Sequence, residues 1–279
     1  MALALAVVGL GRAGRARVSA LEGHPRARLA ATVSRELGPA EATFEIVLED
    51  PNIDGVILCT PNRQHAPAVR AALERGKHVL VEFPLAETAA EGAELFACAR
   101  RHERVLHVEH IELLSPSQKH QRERVRELGG LLGGGLVFTA PDEGWIGDAE
   151  RAGSAALRAV ARLHRLVDLF GEAQVREARV EPLGRGGYRL ELGLAFRRGG
   201  EALLIEERGP GLPRQTRWAL RCEHGRLEDP PREPPGALFR EDLDHFIARV
   251  ESGLEPYVSE ARVLHVLGLV DQTDAQTRS

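Results

Sequence analysis

The stretch LALAVVGLGRAG (residues 3–14) decides the fold. Six apolar residues run directly into a turn that places Gly9, Gly11 and Gly14 in the pattern G-x-G-x-x-G. In dinucleotide-binding domains such glycines permit a tight turn, a close approach of the backbone to a pyrophosphate, and close packing of the first helix on the first strand. Because a helical pattern follows, the stretch predicts a nucleotide site at the amino end of the first helix.

Outward from this stretch, short apolar runs alternate with helical patterns as far as residue 114. Such alternation is typical of a parallel sheet covered on both faces. Beyond residue 115 the strand patterns alternate in polarity, and one strong helical pattern at residues 154–171 interrupts them. We therefore expect an α/β chain with an N-terminal Rossmann domain (residues 1–114) and a C-terminal α+β domain with a largely antiparallel sheet (residues 115–279). Whether a C-terminal helix packs back on the first domain stays open.

Composition excludes several classes of partner. The formal net charge of the 279 residues is −4, which gives no reason to expect a nucleic acid. The apolar N-terminal run is short and leads into the glycine turn, so we interpret it as a strand, and no apolar run is long enough to span a membrane. The three cysteines match no metal or disulfide spacing. These features indicate a cytoplasmic protein.

The cofactor-binding residues that the glycine turn contributes are Gly9, Gly11, Arg12, Ala13 and Gly14. At the end of the second predicted strand, where NAD enzymes commonly carry an acidic residue, the chain has Ser34 and Arg35. A guanidinium attracts the 2′-phosphate of NADPH, and a charge-assisted contact of this kind contributes about 1.5–3 kcal/mol. The sequence thus predicts NADPH as the cofactor, with weaker use of NADH.

A longer stretch, LCTPNRQHAPAVRAALERGKHVLVE (residues 58–82), resembles the superfamily of sugar and polyol dehydrogenases that includes glucose–fructose oxidoreductase and inositol dehydrogenase. In that superfamily the T-P-N…H motif borders the dinucleotide at the carboxyl ends of the strands. The resemblance implies that the nicotinamide side is lined by Thr60, Pro61, Asn62, His65 and Glu82.

The loop after Glu82 departs from that superfamily. Its enzymes carry a lysine between a glutamate and a proline, whereas this chain has Phe83 between Glu82 and Pro84. Of the two lysines, Lys77 lies at the opposite end of the same predicted strand, on the order of 20 Å away, and Lys119 belongs to a separate polar helix. Without a lysine base, oxidation of an alcohol is disfavoured. The pattern favours reduction of a conjugated acceptor, for which the ring of Phe83 offers a flat partner.

A closer resemblance runs nearly end to end. The segments GKHVLVEFPL, RVLHVEHIELL and ARLHRLVDLFGE resemble the A-type biliverdin reductase family, the bilin reductase branch of this superfamily. The resemblance implies NADPH-dependent reduction of biliverdin to bilirubin, with hydride transfer to the central methine bridge and protonation of a pyrrole nitrogen. It also implies a monomer. The catalytic candidates that it carries over are Arg162, Glu82, Phe83, Glu109 and Glu112.

By the same resemblance, Arg162 is the candidate on the proton side of the reaction. An arginine keeps its charge, so it can hold a water or polarise a lactam oxygen but does not readily serve as a free acid. The alternative for Arg162 is an ion pair between helices, with a structural role.

Around Glu109, strand alternation predicts that His107, Glu109 and Ile111 share one face and that His110 and Glu112 share the other, so only some of them line one site unless the strand ends before Glu112. Because neighbouring strand residues diverge, we expect no metal site from the two histidines and Glu109. Two other functions stay open for the chain. One is an NADP-dependent dehydrogenase of the sugar or polyol type, and the other is a non-catalytic NADPH sensor that acts on a partner.

Overall fold

The structure is a computed structural model that describes residues 2–34, 43–184, 186–230 and 237–277. The chain divides into two compact units. Unit 1 comprises Met1–Ile111 and Gly236–Leu264, and unit 2 comprises Glu112–Pro235 and His265–Ser279. Each unit is built on one sheet.

The strands of unit 1 are β1 (Leu3–Val8), β2 (Ala27–Val33), β3 (Gly55–Leu58), β4 (His78–Val81) and β5 (Leu106–Val108). They pair in the order β2–β1–β3–β4–β5, and every neighbouring pair is parallel. β1 is buried from Ala4 onward and β3 is buried throughout. A parallel strand covered on both faces needs an apolar run, which explains the composition of residues 3–8. The predicted Rossmann domain is confirmed.

The strands of unit 2 are β6 (Leu131–Ala140), β7 (Ala173–Leu183), β8 (Gly187–Phe196), β9 (Glu201–Arg208), β10 (Gln215–Cys222) and β11 (Gly225–Leu227). Their order is β11–β10–β6–β9–β8–β7. Among these described strands, β6 and β9 pair in parallel and the other four pairs are antiparallel. The predicted α+β domain with a largely antiparallel sheet is confirmed.

The helices in the described part of the chain are α1 (Arg12–Leu21), α2 (Phe44–Glu49), α3 (His65–Glu74), α4 (Ala89–Arg101), α5 (Pro116–Leu128), α6 (Ala149–Ala152), α7 (Ala155–Arg158), α8 (Val160–Phe170), α9 (Leu238–Ser252) and α10 (Glu260–Thr277). Local chemistry fixes their ends. The Ser115 hydroxyl accepts from the N–H of Gln118, Pro116 opens α5, and Gly129 at φ +77° ends it.

The helical pattern at residues 154–171 forms two helices instead of one. Ser154 caps α7 by accepting from the N–H of Leu157. At Ala159 the backbone has φ −83° and ψ −2°, a turn that separates α7 from α8. Gly171, at φ +86°, ends α8. The turn at Ala159 is invisible to a periodicity argument because alanine suits both conformations.

α9 belongs to unit 1, although it follows unit 2 in sequence. Its residues Leu243, Phe246 and Ile247 pack in one core cluster with Leu5 and Val7 of β1. The apolar face of α9 is therefore buried on the parallel sheet. This return of a C-terminal helix to the first domain is the possibility that the sequence left open.

No helix in the described ranges combines the length and the apolar character that crossing a bilayer requires.

Candidate active site

The three glycines of the turn between β1 and α1 have different steric roles. Gly9 has φ +92°, and a Cβ there would lie 2.6 Å from the carbonyl oxygen of Cys59. A Cβ on Gly14 would collide with the carbonyl oxygen of Gly9, so α1 packs directly on the turn. Beside Gly11 the space is open, because a Cβ there would meet no described heavy atom within 4 Å. Such a turn allows a ligand to approach the backbone at Gly11.

The first turn of α1 is suited to an anion. Gly11 precedes the helix without capping it by a side chain, and the first turn, which starts with Arg12 and Ala13, contains no acidic residue. The first N–H groups of a helix lack partners within the helix and carry the positive end of its dipole. The pyrophosphate of a dinucleotide fits this position.

Of the two residues predicted to select NADPH, the structure describes Ser34 alone. Ser34 directly follows the strand and is partly buried. Arg35 lies outside the described residues. The discrimination between NADPH and NADH therefore stays a prediction from the sequence.

Thr60 and Pro61 lie in the loop after β3, and a short 3-10 helix, Asn62–Gln64, follows them. The hydroxyl oxygen of Thr60 is buried and has no hydrogen-bond partner in the described ranges. An unsatisfied buried polar group costs about 1–3 kcal/mol. A polar ligand at this edge of the sheet would satisfy it, which agrees with a cofactor site here.

His65 begins α3 and is 1% exposed. Its Nδ1 lies 2.7 Å from the carbonyl oxygen of Pro84, and its Nε2 lies 2.7 Å from that of Thr60. Burial lowers the pKa of His65. Since a neutral ring has one N–H, it donates to one of these carbonyl oxygens and only contacts the other. The buried ring of His65 lies between the loop after β3 and the loop after β4 and presents no ring nitrogen to the surface.

Glu82 directly follows β4 and has a buried cation beside it. Arg17 on α1 donates from Nε to Oε1 of Glu82 over 2.7 Å, and its Nη1 lies 2.6 Å from Oδ2 of Asp242 on α9. The side chains of Arg17 and Asp242 are fully buried, whereas that of Glu82 is 15% exposed. The cation beside Glu82 therefore comes from the first helix and not from the loop.

Sequence reasoning missed Arg17 and Asp242. Arg17 lies on the buried face of α1 with Gly14 and Leu21. A charged residue at helical spacing within a buried stripe was the available signal. Asp242 gave no comparable signal, because nothing in the sequence indicates that α9 returns to unit 1.

Lys77 immediately precedes β4, at the opposite end of the strand from Glu82. Its Nζ donates to the carbonyl oxygens of Asp50, over 2.5 Å, and Ile53, over 2.8 Å. Lys77 is therefore a support for the loop after α2 and does not replace the lysine that Phe83 displaces.

Glu109 is 1% exposed and lies among these charges. Its Oε1 accepts from the N–H of Ile111 over 2.5 Å, and its Oε2 has no hydrogen-bond partner in the described ranges. Burial, followed by repulsion from Glu82 and Asp242, raises the pKa of Glu109 well above its usual range. Glu109 therefore keeps a proton at a pH at which an exposed glutamate has lost it.

The substitution Glu109→Gln should change how stability depends on pH. A carboxyl group whose pKa is raised by folding adds stability that is complete below its unfolded pKa of about 4.3 and is lost as the pH rises through the folded pKa. The wild type should therefore lose stability relative to Glu109→Gln as the pH rises. Urea unfolding from about pH 4 to about pH 9 measures the difference. Parallel curves for the two proteins would contradict a buried proton on Glu109.

The predicted alternation of faces does not extend past Val108, where β5 ends, and this is the exception that the sequence left open. Residues Ile111–Leu113 form a 3-10 helix. Glu112 projects from this turn and belongs to unit 2, where its Oε1 lies 3.6 Å from Nη2 of Arg214. The structure thus assigns Glu109 and Glu112 to different units.

The ring of Phe83 stacks on His110, with centroids 6.1 Å apart and planes inclined by 14°. Burial lowers the pKa of His110 to about 3, so that ring is neutral. The backbone N–H of His110 donates to the hydroxyl of Tyr257 over 2.8 Å. Phe83 itself is partly exposed. His110 therefore covers one face of the Phe83 ring, and the exposed part of the side chain remains available for contact with a flat ligand.

In unit 2, Arg162 lies on α8 and is 3% exposed. Its Nε and Nη2 donate to Oε2 of Glu206 on β9, over 3.0 and 2.7 Å. Arg208 donates to the other oxygen of Glu206 over 2.6 Å. Arg162 therefore makes an ion pair, but the pair joins α8 to strand β9 and not to another helix, as the alternative from the sequence had it. Two guanidinium groups share one carboxylate, so this group of three has a net positive charge.

The same guanidinium groups lie against the ring of Phe138 on β6. The central carbons of Arg162, Arg208 and Arg214 lie 4.2, 5.3 and 5.3 Å from its centroid. Contacts at this distance stabilise a cation over an aromatic face. The side chain of Arg214 is 54% exposed and can reach a ligand. This wall of unit 2 is chemically suited to an anion.

Within the described ranges, no three histidine, cysteine, aspartate or glutamate side chains are arranged to hold a metal ion.

Both parts of the chain match known protein families. Residues 3–110 match the oxidoreductase family with an NAD-binding Rossmann fold, and residues 124–234 match the catalytic domain of biliverdin reductase. The chain is 36% identical over 278 residues to biliverdin reductase A of Mus musculus, and the aligned region covers 94% of this chain and 92% of that protein. The chain belongs to the biliverdin reductase A family.

Two solved structures place this biliverdin reductase family member in a wider fold group. One is a biliverdin reductase from Synechocystis sp. PCC 6803 in complex with biliverdin and NADP+, with a TM-score of 0.87, 24% identity and 99% of both chains covered. The other is a putative myo-inositol dehydrogenase from Sinorhizobium meliloti 1021, with a TM-score of 0.83, 18% identity and 98% of both chains covered. The fold alone therefore does not separate a bilin reductase from a polyol dehydrogenase.

Proposed function

We propose that this biliverdin reductase family member reduces biliverdin to bilirubin with NADPH. The observation that carries the proposal is the 36% identity with the mouse biliverdin reductase A along 94% of the chain, since it extends over both units. The position of Phe83 where the dehydrogenases carry a lysine supports it, because this reduction does not deprotonate an alcohol.

NADPH, when bound, supplies the hydride that reduces the central methine bridge. The N–H groups at the start of α1 and the open space beside Gly11 hold the pyrophosphate. The hydroxyl of Thr60 gains a polar partner at the same edge. Ser34 and Arg35 hold the 2′-phosphate, which NADH lacks, so NADH binds more weakly.

Each turnover also delivers a proton to a pyrrole nitrogen. Glu109 holds a proton because burial raises its pKa, and Glu82 is the partly exposed carboxylate of the same cluster. These two are the acid–base groups of unit 1. In unit 2, Arg162 keeps its charge and either holds a water that can deliver the proton or polarises a lactam oxygen, which stabilises the negative charge that the hydride brings.

Biliverdin also carries two carboxylates, and the wall of unit 2 supplies positive charge for them. Arg162 and Arg208 share the carboxylate of Glu206, so a net positive charge remains beside Phe138. Arg214, which is 54% exposed, offers its guanidinium to a substrate carboxylate.

The substitution Phe83→Tyr should change turnover by less than about threefold, which is under 1 kcal/mol in the barrier. The ring supports the flat substrate, and an added hydroxyl does not alter that contact. Phe83→Leu is the matched control, because it keeps an apolar side chain of similar volume but removes the ring, and turnover should fall. Steady-state kinetics with biliverdin measure both. A gain of about a hundredfold in Phe83→Tyr would mean that a hydroxyl proton donor is missing here.

The visible spectrum tests the proposed function directly. The pure protein is mixed with NADPH and biliverdin, and the bands are followed with time. We expect the red-absorbing band to disappear while a yellow bilirubin band grows. An unchanged spectrum, with NADPH binding confirmed by nucleotide fluorescence, would contradict the reductase.

We also propose that the protein is a cytoplasmic monomer without nucleic-acid or membrane partners. The net charge of −4 and the family resemblance support this. Light scattering behind a sizing column should give the mass of one chain, 30.5 kDa.

A further inference from the structure

We propose that Asp242 and Arg17 are positioning residues for Glu82, and that they act as a buried ion triad running from α9 through α1 to the end of β4. The triad consists of Asp242, Arg17 and Glu82. The inference rests on the proposed function, because it concerns how Glu82 and its neighbour Glu109 serve the reduction. It gives α9, which follows unit 2 in sequence but belongs to unit 1, a part in the reaction through Asp242.

Arg17 is the centre of the triad. Its Nε meets Glu82 over 2.7 Å and its Nη1 meets Asp242 over 2.6 Å, so opposite edges of one planar group contact carboxylates from different elements. Nη1 also donates to the carbonyl oxygen of Phe239 over 3.3 Å, and the ring of Phe239 lies 4.8 Å from the guanidinium carbon. These contacts restrict both the position and the tilt of the guanidinium.

Asp242 is fixed from its other side. Its Oδ2 faces Arg17, while its Oδ1 accepts from Nε2 of His107 over 2.9 Å and from the hydroxyl of Tyr257 over 2.6 Å. Burial lowers the pKa of His107, so the ring is a neutral donor. Burial alone would protonate Asp242, yet Arg17 and His107 outweigh it and lower its pKa. Asp242 is therefore a permanent anion behind Arg17.

The three side chains of the triad differ in their exposure to solvent. The side chains of Asp242 and Arg17 are fully buried, and Glu82 is 15% exposed at the carboxyl edge of the parallel sheet. A ligand at this edge meets Glu82 and touches neither of the other two. Asp242 and Arg17 therefore act through Glu82, as an orienting carboxylate acts through the group it holds.

The charge of Asp242 also reaches Glu109. The charged and titratable groups that face Glu109 come from several elements around the end of β5. They are Glu82 after β4, Asp242 on α9, Arg17 on α1, Cys59 after β3 and Tyr257 between α9 and α10. Repulsion from Asp242 helps Glu109 keep its proton. Removing the charge of Asp242 should therefore release that proton at a lower pH.

The test is the substitution Asp242→Asn, which keeps the shape of the side chain and removes its charge. We expect turnover of biliverdin to fall by about tenfold to a hundredfold, because Glu82 and Arg17 lose their fixed geometry. NADPH affinity should change by less than about threefold, since the side chain of Asp242 is fully buried and meets no ligand. The fall in turnover at high pH should begin at a lower pH than in the wild type.

Asp244→Asn is the matched control. It is the same substitution two residues further along α9, where the side chain is 45% exposed and pairs with Arg26 and His24. Turnover and its pH profile should equal those of the wild type. If Asp244→Asn and Asp242→Asn behave alike, Asp242 has no positioning role and the proposal is overturned.

Tyr257→Phe keeps the inference testable if Asp242→Asn does not fold. It removes one donor to Oδ1 of Asp242 while keeping the ring and the charge. Turnover should fall in the same direction but less, with NADPH affinity retained. An unchanged turnover and pH profile would overturn the proposal.

A readout without turnover separates this inference from the proposed function. The pH dependence of unfolding reports the proton on Glu109, and Asp242→Asn should shift it to lower pH whether or not biliverdin is reduced. If the wild type fails to reduce biliverdin but the shift is present, the proposed function fails and the charge coupling stands. If the wild type is active and the shift is absent, the coupling fails alone.

Discussion

Gly11→Asp should weaken NADPH binding on the order of 10²–10³-fold while the protein stays folded. The new carboxylate would project into the open space where the pyrophosphate approaches α1, and two like charges about 4 Å apart near a protein surface repel by about 4 kcal/mol. The fold should tolerate the side chain, because a Cβ at Gly11 meets no described heavy atom within 4 Å. Aspartate is also a favourable residue before a helix.

Gly11→Asn is the matched control for charge, since it has the size of aspartate without the negative charge. Its loss of affinity should be much smaller than that of Gly11→Asp. Gly14→Ala should lower the melting temperature as well as the NADPH affinity, because the new Cβ collides with the carbonyl oxygen of Gly9. Fluorescence titration with NADPH and thermal unfolding measure the two effects. Full NADPH affinity in Gly11→Asp would place the nucleotide elsewhere.

Arg162→Ala should lower the turnover of biliverdin by about 10²–10³-fold with NADPH binding retained, because the preorganised donor that we propose for the lactam is lost. The variant should still fold. Glu206 keeps Arg208 as a partner over 2.6 Å, so the buried carboxylate is not left without a cation. Stopped-flow turnover, circular dichroism and NADPH titration separate these effects.

Arg197→Ala is the control for the general loss of an arginine in unit 2. Its side chain is 82% exposed and pairs with Glu172, so turnover should equal that of the wild type. If Arg162→Ala keeps normal turnover, the ion pair with Glu206 is the whole role of Arg162, and its proposed part in the reaction is wrong.

The architecture was accessible from the sequence wherever a pattern is local. The glycine turn, the buried strands and the serine cap with Pro116 that opens α5 are short-range signals, and each appears in the structure where its pattern lies. The break at Ala159 and the end of β5 at Val108 were not accessible. Both depend on backbone angles that the residues there permit but do not require.

The residues of the candidate site also differ in whether a local sequence pattern identifies them. Motif residues such as Gly11 and Thr60 could be named from the sequence because their neighbours in the motif identify them. Arg17 and Asp242 could not be paired in advance, since nothing in the chain between them signals that α9 packs beside α1. A long-range ion pair leaves no local pattern, and the burial of its members becomes visible once the tertiary fold is known.

Arg17 supplies the positive charge beside Glu82 that a lysine supplies in the dehydrogenases. Where the dehydrogenases carry a cation beside the glutamate of this loop, this protein has an aromatic ring at Phe83 and takes its cation from Arg17. An arginine does not readily accept a proton from an alcohol, whereas it holds a carboxylate firmly. This exchange accords with a site that reduces a conjugated acceptor.

The most direct measurement of the central claim uses NADPH deuterated at both hydrogens of nicotinamide C4. Biliverdin is reduced with the purified protein, and the product is analysed by mass spectrometry and proton NMR. We expect bilirubin that carries a single deuterium, located at the central bridge carbon, which the reduction converts from methine to methylene. Bilirubin without deuterium, deuterium at another carbon, or no bilirubin at all would contradict hydride transfer from NADPH to the central bridge.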